Sequence, residues 1–186
     1  AQATNPKHDH VELLTGKGVR IVFNDPRRFG YMQMFGEADG DPFSEVGPEP
    51  LSNAFSGESL YEAFRGKKSP VKTALLYQHV VAGLGNIYVC EALFMAGISP
   101  NRLAGNVSRK KCDVLAQCVS EVLERAIQAG GSTLKDYAHT DGALGYFQHS
   151  FKVYGREGEA CSACTKPVLR KVQSGRSTFF CSHCQR

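Results

Sequence analysis

The stretch 161-CSACTKPVLRKVQSGRSTFFCSHCQR-186 contains two pairs of cysteines on either side of a short basic segment. Two residues separate the cysteines within each pair, and residues 165–180 separate the pairs. This spacing is typical of a zinc ribbon, because two intervening residues make a tight turn that points both thiolates at one metal ion. The segments VLRKV and STFFC are rich in β-forming residues and predict a hairpin that brings the two pairs together.

We therefore predict one tetrahedral zinc site with four thiolate ligands: Cys161, Cys164, Cys181 and Cys184. Because protein ligands fill all four positions, the zinc is predicted to be structural and not catalytic. The alternative is a pair of disulfides, which is typical of secreted proteins. On either interpretation the hairpin carries residues 173–176 at its middle.

Composition and charge narrow the class of protein. No apolar run approaches the ~20 residues of a membrane helix, and the polar start AQATNPKHDH is unlike a signal peptide, which predicts a cytoplasmic protein with no membrane partner. There is no Lys or Arg between Phe29 and Phe64, and no Asp or Glu after Glu159. Such asymmetry favours a polyanionic partner, most often nucleic acid, although a charge run can also be a solvated face.

The rest of the chain divides into a β-rich start and a helical middle. Residues 10–35 predict a β-hairpin or meander with its turn at Thr15–Gly18, and residues 46–57 form a connector rich in Pro, Gly and Ser. Helices are predicted over residues 72–78 and 86–96.

A longer third helix is predicted to begin after Ser108, a good N-cap, and to end at Gly130 and Gly131. Its apolar residues recur at helical spacing: Leu115, Val119, Val122 and Ala126. A short helix capped by Ser132 follows. Three further cysteines are interpreted as apolar packing residues of the helices: Cys90, Cys112 and Cys118.

Several motifs occur in an order that identifies a family. They are NDPRRFG, VGPEPL, GLGNIYVCEALFMAGISP, GGSTLKDY, DGALGYFQ, VYGREGEACSAC and GRSTFFCSHCQR. Together they closely resemble formamidopyrimidine-DNA glycosylases, bacterial enzymes that excise oxidised purines such as 8-oxoguanine. The resemblance runs from about Lys7 to Arg186. The related endonuclease VIII branch shares the architecture, but NDPRRFG and the GYFQ block fit the first family better.

The resemblance implies an α+β multidomain fold. Residues 1–49 would be the C-terminal part of an N-terminal β-sandwich domain, residues 50–150 a helix–two-turn–helix domain, and residues 151–186 a zinc finger built on a β-hairpin. The chain is expected to be a monomer that binds double-stranded DNA carrying an oxidised purine or an abasic site.

The resemblance also assigns DNA contacts to residues of the helical middle and its flanks. Asn86, in the GLGN turn, grips a phosphate together with Lys72, since glycines admit a close backbone and a helix N-terminus favours an anion. Lys67, His8 and Tyr154 are further DNA contacts of the family. Without the resemblance, GLGN is an ordinary turn before a helix and Lys67 belongs to a solvated loop.

Two more sets of residues have implied roles. Arg27, Arg28 and Phe29 correspond to a family loop that fills the space left when the damaged nucleotide rotates out of the duplex. The alternative for this loop is a type I turn with a buried Phe. Arg176, at the tip of the hairpin, corresponds to an arginine that reaches a phosphate beside the lesion, and it is assigned a catalytic part in the second elimination step.

The family is a bifunctional glycosylase and abasic-site lyase acting in base-excision repair. In the family an N-terminal proline attacks C1′ to form a Schiff base, which then undergoes β- and δ-elimination. This sequence begins Ala1-Gln2, so we expect the DNA-binding portion of such an enzyme, inactive in excision by itself. The alternative is a non-catalytic DNA-binding module. Two departures from the family pattern, Tyr77 for Asp and Thr165 for Gly, affect only the helix turn and the cysteine knuckle.

Overall fold

The computed structural model describes residues 5–132 and 145–186. Contacts divide the described residues into two compact units, residues 5–42 and residues 43–132 with 145–186. In the described ranges no helix combines the length and apolar character needed to cross a membrane. The predicted short helix after Ser132 lies outside the described residues, and the domain boundaries after residues 49 and 150 stay predictions.

The first unit contains an antiparallel hairpin of β1 (Asp9–Leu14) and β2 (Arg20–Asn24), as predicted. The turn closes through two bonds to Thr15, whose carbonyl accepts from Gly18 N at 2.9 Å and whose Oγ1 accepts from Val19 N at 3.0 Å. Short 3-10 turns lie at Pro6–His8 and Glu37–Asp39. The hairpin thus ends where the NDPRRFG loop begins.

Four α-helices build the second unit: α1 (Gly57–Phe64), α2 (Val71–Leu75), α3 (Asn86–Met95) and α4 (Arg109–Gln128). Two 3-10 turns accompany them, at Ala104–Asn106 and Phe147–Ser150. The predicted helices over 72–78 and 86–96 are confirmed, although α2 ends earlier. Leu76 N–H is shared between Lys72 O at 3.3 Å and Thr73 O at 3.2 Å, and Tyr77 N–H bonds to Ala74 O at 3.2 Å, a tighter turn than that of an α-helix.

The helices pack α1 and α3 against α4 around one apolar core. Ser108 caps α4 by accepting a 3.4 Å bond from Lys111 N, as predicted. The predicted apolar positions of α4, Leu115, Val119, Val122 and Ala126, are all buried, and so is Cys112. Gly57 permits the approach of α1 to α4, since a Cβ there would lie 2.4 Å from Asp113 Cα.

The second hairpin pairs β3 (Leu169–Gln173) with β4 (Arg176–Phe180). Its two-residue turn has positive φ at both positions, 49° at Ser174 and 72° at Gly175, as a type I′ turn requires. A smaller apolar cluster lies beneath it and joins it to α3: Cys90, Val153, Cys161, Val168, Phe179 and Cys181. The fold is therefore a mixed α/β arrangement in which a helical unit carries a small β-hairpin.

Candidate nucleic-acid interface and metal centre

The four cysteines of the opening stretch come together at the base of the second hairpin. Their sulfur atoms all lie within 4.8 Å of one another. Cys161 Sγ is 3.9 Å from Cys184 Sγ, and Cys164 Sγ is 3.5 Å from Cys181 Sγ. Thiolates at ~2.3 Å from a tetrahedral metal ion are ~3.8 Å apart, whereas a disulfide requires about 2 Å. The separations fit a site for one metal ion and do not fit disulfides.

The cysteine thiols of this cluster differ in pKa. Hydrogen bonding to Cys164 and burial raise the pKa of Cys184 to about 12. Burial opposes ionisation of Cys181, but backbone N–H groups of Cys184 and His183 and the neighbouring thiols lower the pKa of Cys181 to about 7. Sulfurs this close can all be thiolates only with a cation among them.

Gln185 joins the cysteine cluster to the helical part of the unit. Its Oε1 accepts a 2.8 Å bond from Cys181 N, and its Nε2 donates a 3.0 Å bond to Ile98 O in the loop after α3. Gln173 Nε2 adds a 3.2 Å bond to Pro100 O. The hairpin is thus fixed to the helices at both its base and its far end.

Lys72 of α2 is fully buried against strand β4 of the hairpin. Its Nζ donates to Thr178 Oγ1 at 2.8 Å and to Ser177 O at 3.3 Å. Burial lowers the pKa of the Lys72 ammonium; Cys90 opposes this, and the positive charges of Arg176 and Lys171 lower it further. In residues 5–132 and 145–186 no carboxylate forms a salt bridge with Lys72, so no ion pair there neutralises its charge.

Asn86, the first residue of α3, points at the same carbonyl as Lys72. Its Nδ2 donates to Ser177 O at 2.9 Å and to Tyr154 OH at 3.5 Å, while its buried Oδ1 has no hydrogen-bond partner within the described part of the chain. The N-cap of α3 is Gly85, which offers no side-chain cap, and the first turn contains no acidic residue. Gly83 supports the turn at φ 67°. The N-terminal N–H groups of α3 are therefore left for an anion.

Arg176 opens strand β4 opposite Gln173 and is exposed. It follows the Ser174–Gly175 turn, and Ser174 Oγ lies 3.3 Å from Thr73 Oγ1 of α2. Lys72, Asn86, Tyr154 and Arg176 are therefore brought together around Ser177. Lys67 lies in the loop between α1 and α2.

Glu91 is a residue of this site that sequence reasoning missed. Its carboxylate is only 2% exposed and accepts three backbone N–H bonds, from Lys152 at 2.8 Å, Val153 at 3.0 Å and Tyr154 at 2.8 Å. These bonds fix the turn that presents the Tyr154 hydroxyl to Asn86. The signal was a single carboxylate in the apolar run NIYVCEALFM, since a buried carboxylate must be paired.

The first unit places its predicted residues around a tight loop after β2. Asp25 holds this loop by accepting bonds from the N–H groups of Arg27 (3.1 Å), Arg28 (3.0 Å) and Gly30 (2.6 Å). The Gly30 bond is the largest influence that lowers the pKa of Asp25; burial opposes it, and the Arg27 and Arg28 bonds add to the lowering.

Phe29 is 78% exposed, so the alternative of a buried Phe is wrong. The guanidinium of Arg27 lies over its ring, 4.7 Å from the centroid. Arg28 adopts φ 55°, a conformation uncommon outside glycine. His8 is half-buried in the Pro6–His8 turn, and its carbonyl accepts from Asp25 N at 2.9 Å. The loop therefore presents an aromatic ring and two cations to solvent.

Comparison with known proteins identifies the family to which the helical unit with its cysteine hairpin belongs. Residues 46–138 match the family model described as the formamidopyrimidine-DNA glycosylase H2TH domain. The formamidopyrimidine-DNA glycosylases of Jannaschia sp. (strain CCS1) and Ruegeria sp. (strain TM1040) are 56% and 54% identical to the chain over 185 residues, 97% of its length. The chain belongs to the formamidopyrimidine-DNA glycosylase family.

Solved structures of proteins named Fpg or MutM are also similar to the chain. The MutM (Fpg) protein of Thermus thermophilus superimposes with a TM-score of 0.85 at 42% identity, covering 96% of this chain and 68% of that one. The Lactococcus lactis Fpg in complex with DNA containing an abasic site gives a TM-score of 0.86 at 33% identity, covering 99% and 68%. The chain spans 65% of the length of the two curated relatives.

Proposed function

We propose that this chain is the DNA-binding portion of a base-excision-repair DNA glycosylase and abasic-site lyase that removes oxidised purines. One observation carries the proposal. Lys72 and Asn86 converge on the Ser177 carbonyl beside Arg176, at a helix N-terminus without a side-chain cap. Supporting this, the relatives are named formamidopyrimidine-DNA glycosylases, and solved relatives are complexes with DNA containing formamidopyrimidine or abasic lesions.

The cluster binds one phosphate of the damaged strand. The free N–H groups of α3 and the amide of Asn86 donate hydrogen bonds, while Lys72 and Arg176 supply positive charge. Tyr154 adds its hydroxyl at the edge of the same surface, next to an open groove of about 620 Å³ that Lys152 and Arg156 also line. A phosphate held this firmly keeps the neighbouring deoxyribose in one orientation during the reaction.

The loop of the first unit has a different role in the proposal. Phe29 enters the base stack when the damaged nucleotide rotates out, and Arg27 and Arg28 help to fill the space that this nucleotide leaves. Extrusion costs a few kcal/mol of stacking, which an inserted aromatic ring with cationic neighbours offsets. His8 and Lys67 contact phosphates further along the duplex.

The metal is one structural Zn²⁺, because four cysteine sulfurs at tetrahedral separations are a donor set that zinc prefers. Cys161, Cys164, Cys181 and Cys184 would hold it. It completes a zinc finger at residues 151–186, which follows a helix–two-turn–helix domain at 50–150 in the sequence, and residues 1–49 are part of a β-sandwich domain. Metal content measured by mass spectrometry tests this: about one zinc per chain is expected, and none in C161S/C184S.

The proposed reaction begins when an amine attacks C1′ and the damaged base leaves. The Schiff base then eliminates the 3′ phosphate and, in the second step, the 5′ phosphate. Arg176 assists this second elimination by stabilising the departing phosphate. We do not assign the attacking amine to Lys72, whose Nζ is buried and donates to two oxygens of β4. The protein is proposed to act as a monomer on double-stranded DNA in the bacterial cytoplasm.

The decisive experiment combines binding with borohydride trapping on a duplex that carries one abasic site. The parent chain is expected to bind this duplex with an affinity that falls steeply with salt, and R176A to bind it more weakly with unchanged zinc content. R176K, which keeps the positive charge, should lose less DNA affinity than R176A. Absence of salt-dependent DNA binding by the parent would overturn the proposal.

Trapping tests whether an amine of this chain attacks the abasic site. Lys72 Nζ is buried and donates to two oxygens of β4, so the chain is expected to bind without forming a covalent adduct. If an adduct forms and K72R abolishes it, Lys72 is the nucleophile and its assignment as a phosphate ligand is wrong. If an adduct forms in both, another amine of the chain attacks.

A further inference from the structure

We propose that five cations of the second unit form a cationic strip that binds the duplex backbone beyond the phosphate held by Lys72 and Asn86. The cationic strip consists of Lys67, Lys68, Arg102, Lys110 and Lys111. Lys67 is already a proposed contact, whereas the other four are new. The inference rests on the proposed function, and it extends the contact with the duplex from one phosphate to the flanking phosphates.

The sequence concentrates positive charge in the two segments that build the strip. Residues 65–90 and 92–112 contain no Asp or Glu. Arg65 pairs with Glu62 at 2.8 Å, and Arg109 pairs with Glu58. Across residues 5–132 and 145–186, no carboxylate forms a salt bridge with any of the five strip cations. Arg102 Nη1 donates to the Asn106 carbonyl at 3.5 Å. The positive charges of the strip are therefore not neutralised by ion pairs within this part of the chain.

Backbone hydrogen bonds hold the two segments side by side. Lys67 O accepts from Gly105 N at 3.0 Å, and Arg102 O accepts from Val71 N at 2.7 Å. Pro70 and Leu103 form an isolated antiparallel bridge between these contacts. A Cβ at Gly105 would lie 2.9 Å from Lys67 O, so only glycine permits this approach. These contacts bring Lys67 and Lys68 beside Arg102, and the Ala104–Asn106 turn leads from Arg102 into α4, whose first turn carries Lys110 and Lys111.

The positions of Lys110 and Lys111 lower the folding stability of the chain when no polyanion is bound. They follow Arg109 in the first turn of α4, which contains no acidic residue. Cations are unfavourable there, because the positive end of the helix dipole and the neighbouring like charges repel them. An arrangement that costs stability in the free chain becomes favourable once a polyanion neutralises it.

The strip is continuous with the proposed phosphate site. Its Lys67–Lys68 segment runs into α2, which carries Lys72. At its other side, Asn101 accepts a hydrogen bond from Lys171 of β3, so Arg102 adjoins the hairpin that carries Arg176. Duplex DNA has a charge every ~1.7 Å along its axis, which makes its flanking phosphates the fitting partner.

The test compares two duplexes, each with a central abasic site: one of about 10 base pairs, a single helical turn, and one of about 30 base pairs. The variant is K68Q/K110Q, which removes one exposed cation from each segment. The control is K17Q/R125Q, which removes the same charge from exposed positions outside the strip. Dissociation constants are measured across a series of salt concentrations.

For K68Q/K110Q on the long duplex, we expect the dissociation constant to rise about tenfold and the salt slope to fall by about two, near one per lost phosphate contact. On the short duplex it should match the parent. The melting temperature of the K68Q/K110Q protein should equal or exceed that of the parent, because the substitution removes the charge of Lys110 from the N-terminus of α4. The control should match the parent on both duplexes.

If parent and K68Q/K110Q show the same salt dependence of affinity on the long duplex, the inference is overturned. An acidic protein would then be the alternative partner of the strip. An equal loss in the control would overturn the inference too, because net charge would then explain the effect. Failure of the parent to bind either duplex would instead remove the proposed function on which the inference rests.

Discussion

Lys72 Nζ donates a 2.8 Å hydrogen bond to Thr178 Oγ1, which joins helix α2 to the second strand of the cysteine hairpin. Both residues are fully buried. The bond sets the position of the Lys72 ammonium relative to the Ser177 carbonyl that Asn86 also contacts. Lys72, to which the family resemblance assigns phosphate binding, is thus held in a fixed position between α2 and β4.

Thr178→Val should test this bond directly, because valine keeps the shape of threonine and removes the acceptor. A buried ammonium that loses one of two acceptors is expected to destabilise the chain by about 1–3 kcal/mol in urea unfolding and to weaken binding to abasic-site DNA. Thr178→Ser keeps the hydroxyl and should bind DNA almost normally. Equal losses in both variants would indicate a packing effect.

Glu91→Gln should disturb the turn that carries Tyr154. The amide can still accept at one oxygen, but its NH₂ group then faces a backbone N–H, so at least one of the three bonds is lost. We expect a loss of about 1–3 kcal/mol in unfolding free energy, with weaker DNA binding. Glu124→Gln, at an exposed position of α4, is the matched control. Unchanged stability in the Glu91 variant would show that the carboxylate is not needed there.

Gly57→Ala should separate α1 from α4, since the added Cβ would lie 2.0 Å from Asp113 Oδ1 and 2.4 Å from its Cα. Overpacking of this kind typically costs about 1–3 kcal/mol, which a thermal melt will detect. Gly16→Ala provides the control, because no atom lies within 4 Å of a Cβ at that position. A melting temperature equal to that of the parent would contradict the close helix approach.

The loop after β2 should respond to acid through Asp25. Its folded-state pKa is lowered, chiefly by the Gly30 N–H, so its contribution to loop order is present above the ordinary Asp pKa of ~3.9 and is lost as pH falls through the folded value. Nuclear magnetic resonance of the Gly30 amide should follow this change. Asp25→Asn should remove the titration, and a pH-independent amide shift in the parent would refute the assignment.

Local patterns in the sequence predicted local structure well. The cysteine spacing predicted that four sulfurs would meet, and Ser108 with the periodic apolar residues after it predicted α4. The resemblance singled out Lys72, Asn86, Tyr154 and Arg176, whose grouping at Ser177 the structure then supplied. These features depend on neighbours in sequence or on motifs already known.

Other features depend on partners far along the chain, which a sequence pattern does not contain. Glu91 looked like one more helical residue, because the three N–H groups that it accepts lie at 152–154. The fixed position of Lys72 depends on Thr178, and the place of Gln185 depends on Ile98. Phe29 remained ambiguous between a buried and an exposed side chain until its surroundings were seen.

The bonds around Ser177 also determine when the site can exist. Lys72 and Thr178 are 106 positions apart, and Asn86 and Ser177 are 91 apart. During translation, α2 and α3 leave the ribosome well before β4 does. A nascent chain therefore cannot bring Lys72 and Asn86 to Ser177 and Thr178 until synthesis has passed residue 178, so incomplete chains lack the proposed phosphate site.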